Sequence, residues 1–261
     1  MNLVEKGGEG KRDGDLPMRI HQIKTRYVNT YLIETPEHLL IIDVAYGGAK
    51  YVLGYVRQEL RREPEEIALV ICTHSDPDHS GEVVKLAQQC GAESGMPYAM
   101  SSRLGRFESL PLSMMMRVLT SAREGLRPRA WRMYANPARS RRARRLPTHV
   151  PALNGDLTQQ APAQYRLKHG QRLPGFEDWQ VVHTPGHSWD SCCYFHLPTR
   201  ALISGDTLLG STARGKLVRP AIYASARQTE RSIARLKKLN PRAVYPGHGS
   251  VVEGEELLEH L

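Results

Sequence analysis

Residues 73–81 read THSDPDHSG, which sets His74, Asp76, Asp78 and His79 within one short stretch. Just before it, IALVIC (67–72) is an unbroken apolar run of strand length, the signature of a strand buried on both faces. GEVVKLAQQC follows with helical spacing of its apolar residues. Strand, ligand-rich loop and helix is the geography of an α/β site, where functional groups gather beyond the carboxyl ends of strands. The same device recurs three times, as TPGHS (184–188), SGDTLL (204–209) and PGHG (246–249), each behind an apolar run. Together the four loops supply His74, Asp76, Asp78, His79, His187, Asp206 and His248, and none of them contains a lysine or arginine. A buried charge must be paired or bind metal. Imidazoles with carboxylates are the donor set of zinc, iron or manganese, so a metal site is expected.

The remaining pattern places these loops in one α/β unit. YVNTYLIE (27–34) and HLLIID (38–43) read as strands joined by a TPE turn. GGAKYVLGYVRQELRR reads as a helix with Tyr51, Val52, Tyr55, Val56 and Leu60 on one face, ended by Pro64. Strands are expected over 179–184, 191–197 and 201–204. A helix over 225–239 opens on Ser225 with Gln228 three residues on, a capping pattern, and a short terminal helix closes the chain. Residues 1–17, charged and Gly-rich, are expected to form a flexible tail. Residues 18–261 form the domain, interrupted by an insertion over 101–162.

That insertion holds the charge. Between Ser101 and Pro147 there are twelve arginines, no lysine and two glutamates, more than the whole net charge of +9, so the rest of the chain is close to neutral. A basic segment rather than a basic protein argues against nucleic acid as the main partner. LPLSMMMRVLTSAREGL reads as a helix with adaptable Met-rich surface, and Trp131 and Tyr134 follow it. Guanidinium groups bind carboxylate and phosphate. The segment is therefore expected to wall a site for a small apolar substrate with an anionic group, with peripheral contact of 101–147 on anionic lipid as the other reading.

Cys72, Cys90, Cys192 and Cys193 form no C-x-x-C pair. The N-terminal residues carry no apolar leader, and no run of about 18 apolar residues suggests a membrane span. Reduced thiols and a cytoplasmic location are expected. The chain has no G-x-S-x-G elbow, P-loop or G-x-G-x-x-G. Hydrolysis at such a site would proceed without a side-chain nucleophile.

The order and spacing of the four loops, with VNTYLIE and LLIID ahead of them, resemble the metallo-β-lactamase superfamily, whose hallmark is a His-x-His-x-Asp-His loop followed by His, Asp and His. The resemblance implies an α/β fold, a four-layer αβ/βα sandwich, here with a basic, partly helical insertion. It implies two divalent metal ions, zinc foremost, with iron or manganese as alternatives. Carried over by position, His74, Asp76 and His187 would hold the first ion, Asp78, His79 and His248 the second, and Asp206 would bridge them. Asp78 is also the candidate catalytic carboxylate, acting on a metal-bridging hydroxide. Tyr223 and Trp131 are candidates for contact with substrate, and His183 for support of a ligand.

The chain departs from the hallmark at Asp76, where the family usually has its second histidine. The extra carboxylate makes the site one unit more negative, weakens the ions as Lewis acids and favours harder metals. The flavodiiron branch of the family carries a glutamate at this place. Asp76 either ligates or points away and leaves the first site weak. The expected function is a metal-dependent hydrolase of an ester, thioester, lactone or phosphoester, most like the hydroxyacylglutathione hydrolases and lactonases. The alternatives are a di-iron oxygen or redox protein and a non-catalytic binder with a degraded site.

Overall fold

The structure is a computed structural model that describes residues 18–25, 28–98, 111–128 and 163–261. The tail 1–17, Trp131, Tyr134 and most of the insertion lie outside the described residues. In chain order the first half comprises β1 (Arg19–Lys24), β2 (Asn29–Glu34), β3 (Leu39–Ile42), α1 (Ala49–Gln58), β4 (Ile67–Ile71), α2 (Pro77–Ser80), α3 (Val83–Cys90), β5 (Glu93–Pro97) and α4 (Pro111–Gly125). The second half comprises β6 (Tyr165–Leu167), β7 (Arg172–Leu173), β8 (Phe176–His183), β9 (Cys192–His196), β10 (Ala201–Gly205), β11 (Leu209–Ser211), β12 (Lys216–Val218), α5 (Ala226–Leu239), β13 (Ala243–Pro246) and β14 (Val252–Glu253).

Two six-stranded sheets result, β1-β2-β3-β4-β5-β6 and β14-β13-β10-β9-β8-β7. The apolar runs explain their depth. LLII in β3 is buried at every position, and the two-residue alternation of a strand sends its side chains to two different layers. Leu39 and Ile41 pack with Val52, Val56 and Leu86 of α1 and α3, while Leu40 and Ile42 meet Trp179, Val181, Tyr194 and Ile203 of the second sheet. The outer face of that sheet, with Val182, Phe195, Leu202 and Val244, covers Ile233 and Leu236 of α5. Helices, sheet, sheet, helix is the four-layer sandwich.

Helix ends follow their chemistry. The Ser225 hydroxyl accepts the amide of Gln228 at the start of α5, and Gly91 ends α3 in the left-handed region that a residue without Cβ adopts freely. One element is unforeseen and one expectation changes. β1 belongs to the first sheet, where the alternation in RIHQIK is too weak to announce a strand. The chain end, expected to be a helix, is β14 followed by turns, because Val252 and Glu253 pair with β13. All four cysteines are free and buried; Cys72 donates to the thioether of Met96 at 3.2 Å, packing as expected rather than reaching the site. No helix among the described residues is long and apolar enough to cross a membrane.

Candidate metal centre

The loops after β3, β4, β8, β10 and β13 converge at one edge of the sandwich and are stitched together by backbone bonds. The amide of Cys192 donates to Thr73 O, that of Gly247 to Gly205 O, that of Gly210 to His248 O and that of Val44 to His79 O. Two glycines make the close approach possible. A Cβ on Gly247 would lie 2.6 Å from His79 Cε1 and 2.7 Å from Asp206 Oδ1, and one on Gly249 would lie 1.7 Å from Gly210 O. In the first ligand loop Pro77 opens α2 at its first turn, where its missing N–H costs nothing. That turn places Asp78 and His79 together.

Six of the seven expected ligands fall into two groups. His74, His187 and Asp206 offer ligand atoms within 4.8 Å of one another, and so do Asp78, His79 and His248. Asp206 lies between the groups: Oδ1 is 3.5 Å from His79 Nε2, and Oδ2 is 3.8 Å from His187 Nε2 and 3.5 Å from His248 Nε2. The seventh, Asp76, points inward. It caps α2 without a cap hydrogen bond, and its Oδ2 lies 3.4 Å from His74 Nε2 and 3.3 Å from His187 Nε2. Its carboxylate thus lies beside the first group rather than turned away from it.

Three imidazoles are aimed by bonds at Nδ1. His79 Nδ1 lies 2.9 Å from Asp43 Oδ2 and His187 Nδ1 2.8 Å from Ile222 O. His74 Nδ1 lies 3.0 Å from the Thr73 hydroxyl, which itself donates to the Asp43 carboxylate at 2.9 Å. A hydroxyl has one hydrogen, so Thr73, having given its own to Asp43, accepts from His74. Each bond puts the ring proton on Nδ1 and the lone pair on Nε2, facing the site.

Burial works to raise the Asp76, Asp78 and Asp206 carboxyls, but the facing imidazoles outweigh it and hold all three below the usual carboxylate range. Burial pushes the His79 and His187 rings down, while the carboxylates around them, Asp43 and Asp206 at His79 and Asp76 and Asp206 at His187, lift both above the ordinary histidine value.

Sequence reasoning missed three residues here. Asp43 closes β3, fully buried at φ 64°, and accepts the amide of Thr73 at 2.7 Å besides holding His79. A lone carboxylate ending the apolar run LLII was a signal that could have found it. Asp190, also fully buried, accepts the Ser75 amide at 2.8 Å and the Ser188 hydroxyl at 2.7 Å, tying the first ligand loop to the second. Arg117 of α4 donates to Asp76 Oδ2 at 2.5 Å; nothing in sequence set it apart from eleven other arginines. Of the remaining candidates, His183 bonds Trp189 O and so shapes the loop that carries His187. Tyr223 is half-buried, and its backbone bonds the Thr120 hydroxyl of α4. Trp131 lies outside the described residues.

The family model described as "Metallo-beta-lactamase superfamily" matches residues 23–248. Over 97 residues, 35% of this chain, there is 28% identity to the "Probable metallo-hydrolase YqjP" of Bacillus subtilis (strain 168). Over 74 residues, 28% of this chain, there is 34% identity to the "Atrochrysone carboxyl ACP thioesterase" of Aspergillus fumigatus. These matches span 30% and 21% of the relatives' own lengths. Among solved structures, TTHA1623 in a di-iron-bound form superposes with a TM-score of 0.54 at 23% identity, covering 93% of this chain and 96% of that one. That likeness concerns the fold.

Proposed function

The chain belongs to the metallo-β-lactamase superfamily, and from that premise we propose that it is a dinuclear metal-dependent hydrolase acting on an ester, thioester, lactone or phosphoester. The observation that carries the reading is a set of buried polar atoms that lack a hydrogen bond among the described residues. Nε2 of His74, Nε2 of His79 and Oδ1 of Asp206 are buried and make no hydrogen bond among the described residues. Each such atom costs about 1–3 kcal/mol if left so, and all three face the same space. A donor set of imidazoles and carboxylates fits divalent cations there. His74, Asp76 and His187 would hold one ion and Asp78, His79 and His248 the other, with Asp206 shared between them.

Ions so held supply an activated water and a Lewis acid for the developing oxyanion. The chain's own residues do the rest. Asp43 and Thr73 fix the ring protons of His79 and His74, so that the lone pairs stay aimed inward. Asp190 fixes the first ligand loop through Ser75. Asp78, the most open of the ligand carboxylates at 36% side-chain exposure against 6% for Asp206, accepts a hydrogen bond from an incoming water. The Arg-bearing helix α4 stands beside Asp76 and suits a substrate with an anionic group.

A second reading, di-iron oxygen or redox chemistry, is favoured by Asp76, a hard oxygen donor turned toward His74 and His187, and by the di-iron form of a protein with the same fold. Elemental analysis of protein purified without chelators separates the two. Two zinc or manganese ions per chain, with hydrolysis in a screen of the four substrate classes that chelation abolishes, is the expected result. Two irons with a visible absorption band would transfer the assignment to redox chemistry, and one ion or none would overturn the dinuclear reading.

A further inference from the structure

Helix α4 belongs to the insertion, yet it touches the first ligand group from two sides. On one side the Arg117 guanidinium donates to Asp76 Oδ2, the same oxygen that faces His74 and His187. On the other, the Thr120 hydroxyl, whose own hydrogen goes to Met116 O at 2.8 Å, accepts the amide of Tyr223 at 3.2 Å, and Arg123 donates to Ala221 O at 3.0 Å. Between those two residues Ile222 holds the His187 ring through its carbonyl. The helix is turned inside out relative to an ordinary amphipathic one. Thr120 and Glu124, spaced to share one face with Arg117, are buried, while Val118, Leu119 and Leu126 are exposed. Among the described residues, polar contacts with the site hold this face of α4 in place.

Charge explains why. Asp76, Asp78 and Asp206 converge on one small space, and with two divalent ions and a hydroxide their charges would sum to zero. Among the described residues, Arg117 is the one arginine or lysine paired with any of these three carboxylates. Its cation returns one positive unit and draws electron density from the oxygen that would reach the first ion. A carboxylate oxygen has two lone pairs, so accepting from Arg117 leaves one for a metal.

Resting on the dinuclear reading above, we propose that Arg117 is a positioning residue of the metal centre: the insertion supplies the counter-charge to Asp76, and the Asp76–Arg117 pair acts as one unit that sets binding of the first ion. The consequence is counter-intuitive. Exchanging Asp76 for histidine, although it supplies a good ligand, leaves the guanidinium unpaired beside a metal and weakens that site.

A double-mutant cycle with zinc tests this, using wild type, D76H, R117M and D76H/R117M, with metal stoichiometry after dialysis and affinity by chelator competition as readouts. D76H is expected to weaken the first ion by about tenfold or more, the usual scale for disturbing a ligand's support. In the R117M background the same exchange should change affinity by less than about threefold. D76H/R117K, which keeps the cation, should be as weak as D76H, and circular dichroism reports whether each variant folds. If D76H acts equally in both backgrounds, or if it holds both ions as wild type does, the pair is an ordinary surface ion pair and the proposal falls. Should D76H/R117M fail to fold, D76N in the wild-type and R117M backgrounds reads the same coupling. Wild type binding fewer than two ions would instead defeat the dinuclear reading itself, a result visible before any variant is made.

Discussion

Exchanging Asp43 for asparagine replaces one carboxylate oxygen by an NH2 group and tests how the second ligand group is aimed. Asp43 sits at φ 64°, a region that asparagine tolerates as well as aspartate, so the backbone is not strained. Asparagine keeps one oxygen for the Thr73 amide, now accepted at 2.7 Å. Its NH2 group takes the place of the Oδ2 that lies 2.9 Å from His79 Nδ1. A donor there meets a donor. Either the hydrogen bond is lost, about 1.5–3 kcal/mol for one to a charged group, or His79 moves its proton to Nε2 and closes the lone pair that faces the site. Both routes weaken the second ion, by about 10–100-fold on the usual scale for such a partner. The same loss lowers the melting temperature by about 3–12 °C, at roughly 2–4 °C per kcal/mol for a domain of this size. Chelator competition and calorimetry read the two effects, and imidazole nitrogen chemical shifts report the His79 tautomer directly. An unaltered tautomer, with the second ion bound within a factor of about two of wild type, would refute this account of His79.

Glycine conformations give a paired test of how tightly the ligand loops are packed. Gly249→Ala, at φ 90° with Gly210 O in the way, should destabilise by about 3 kcal/mol or more, whereas Gly91→Ala, at φ 68° with open space around it, should cost only about 1–2 kcal/mol. Urea denaturation curves measure both. The metal-stripped protein should be most stable between about pH 4 and 6.5. The His79 ring is lifted from 6.5 to about 10, so its contribution is fully present below 6.5 and is lost as pH rises toward 10. Asp76, Asp78 and Asp206 are held below 3.8, so theirs is present above that value and is lost as pH falls further. Melting temperature against pH checks the shape, and a monotonic rise from pH 6 to 9 would contradict it.

The sequence by itself determined the parts that local chemistry writes. IALVIC is apolar at every position, as a strand buried on both faces should be, HLLIID reads as a strand beside it, and the ligand-rich turns behind such runs were legible as a site. Asp206 could be read as the shared carboxylate only through the family resemblance; the structure adds that Oδ1 lies near His79 and Oδ2 near both His187 and His248. Weakly patterned edge strands such as β1, β6 and β7 were not legible, since an edge strand takes its pairing from a neighbour rather than from its own alternation. Tertiary structure alone decided which partner each ligand has. Asp43 meets His79 across 36 positions of sequence and Arg117 meets Asp76 across 41. Asp190 reaches Ser75 across 115. A hydrogen bond acts over about 3 Å, and only the folding of distant strand ends onto one edge brings those groups that close.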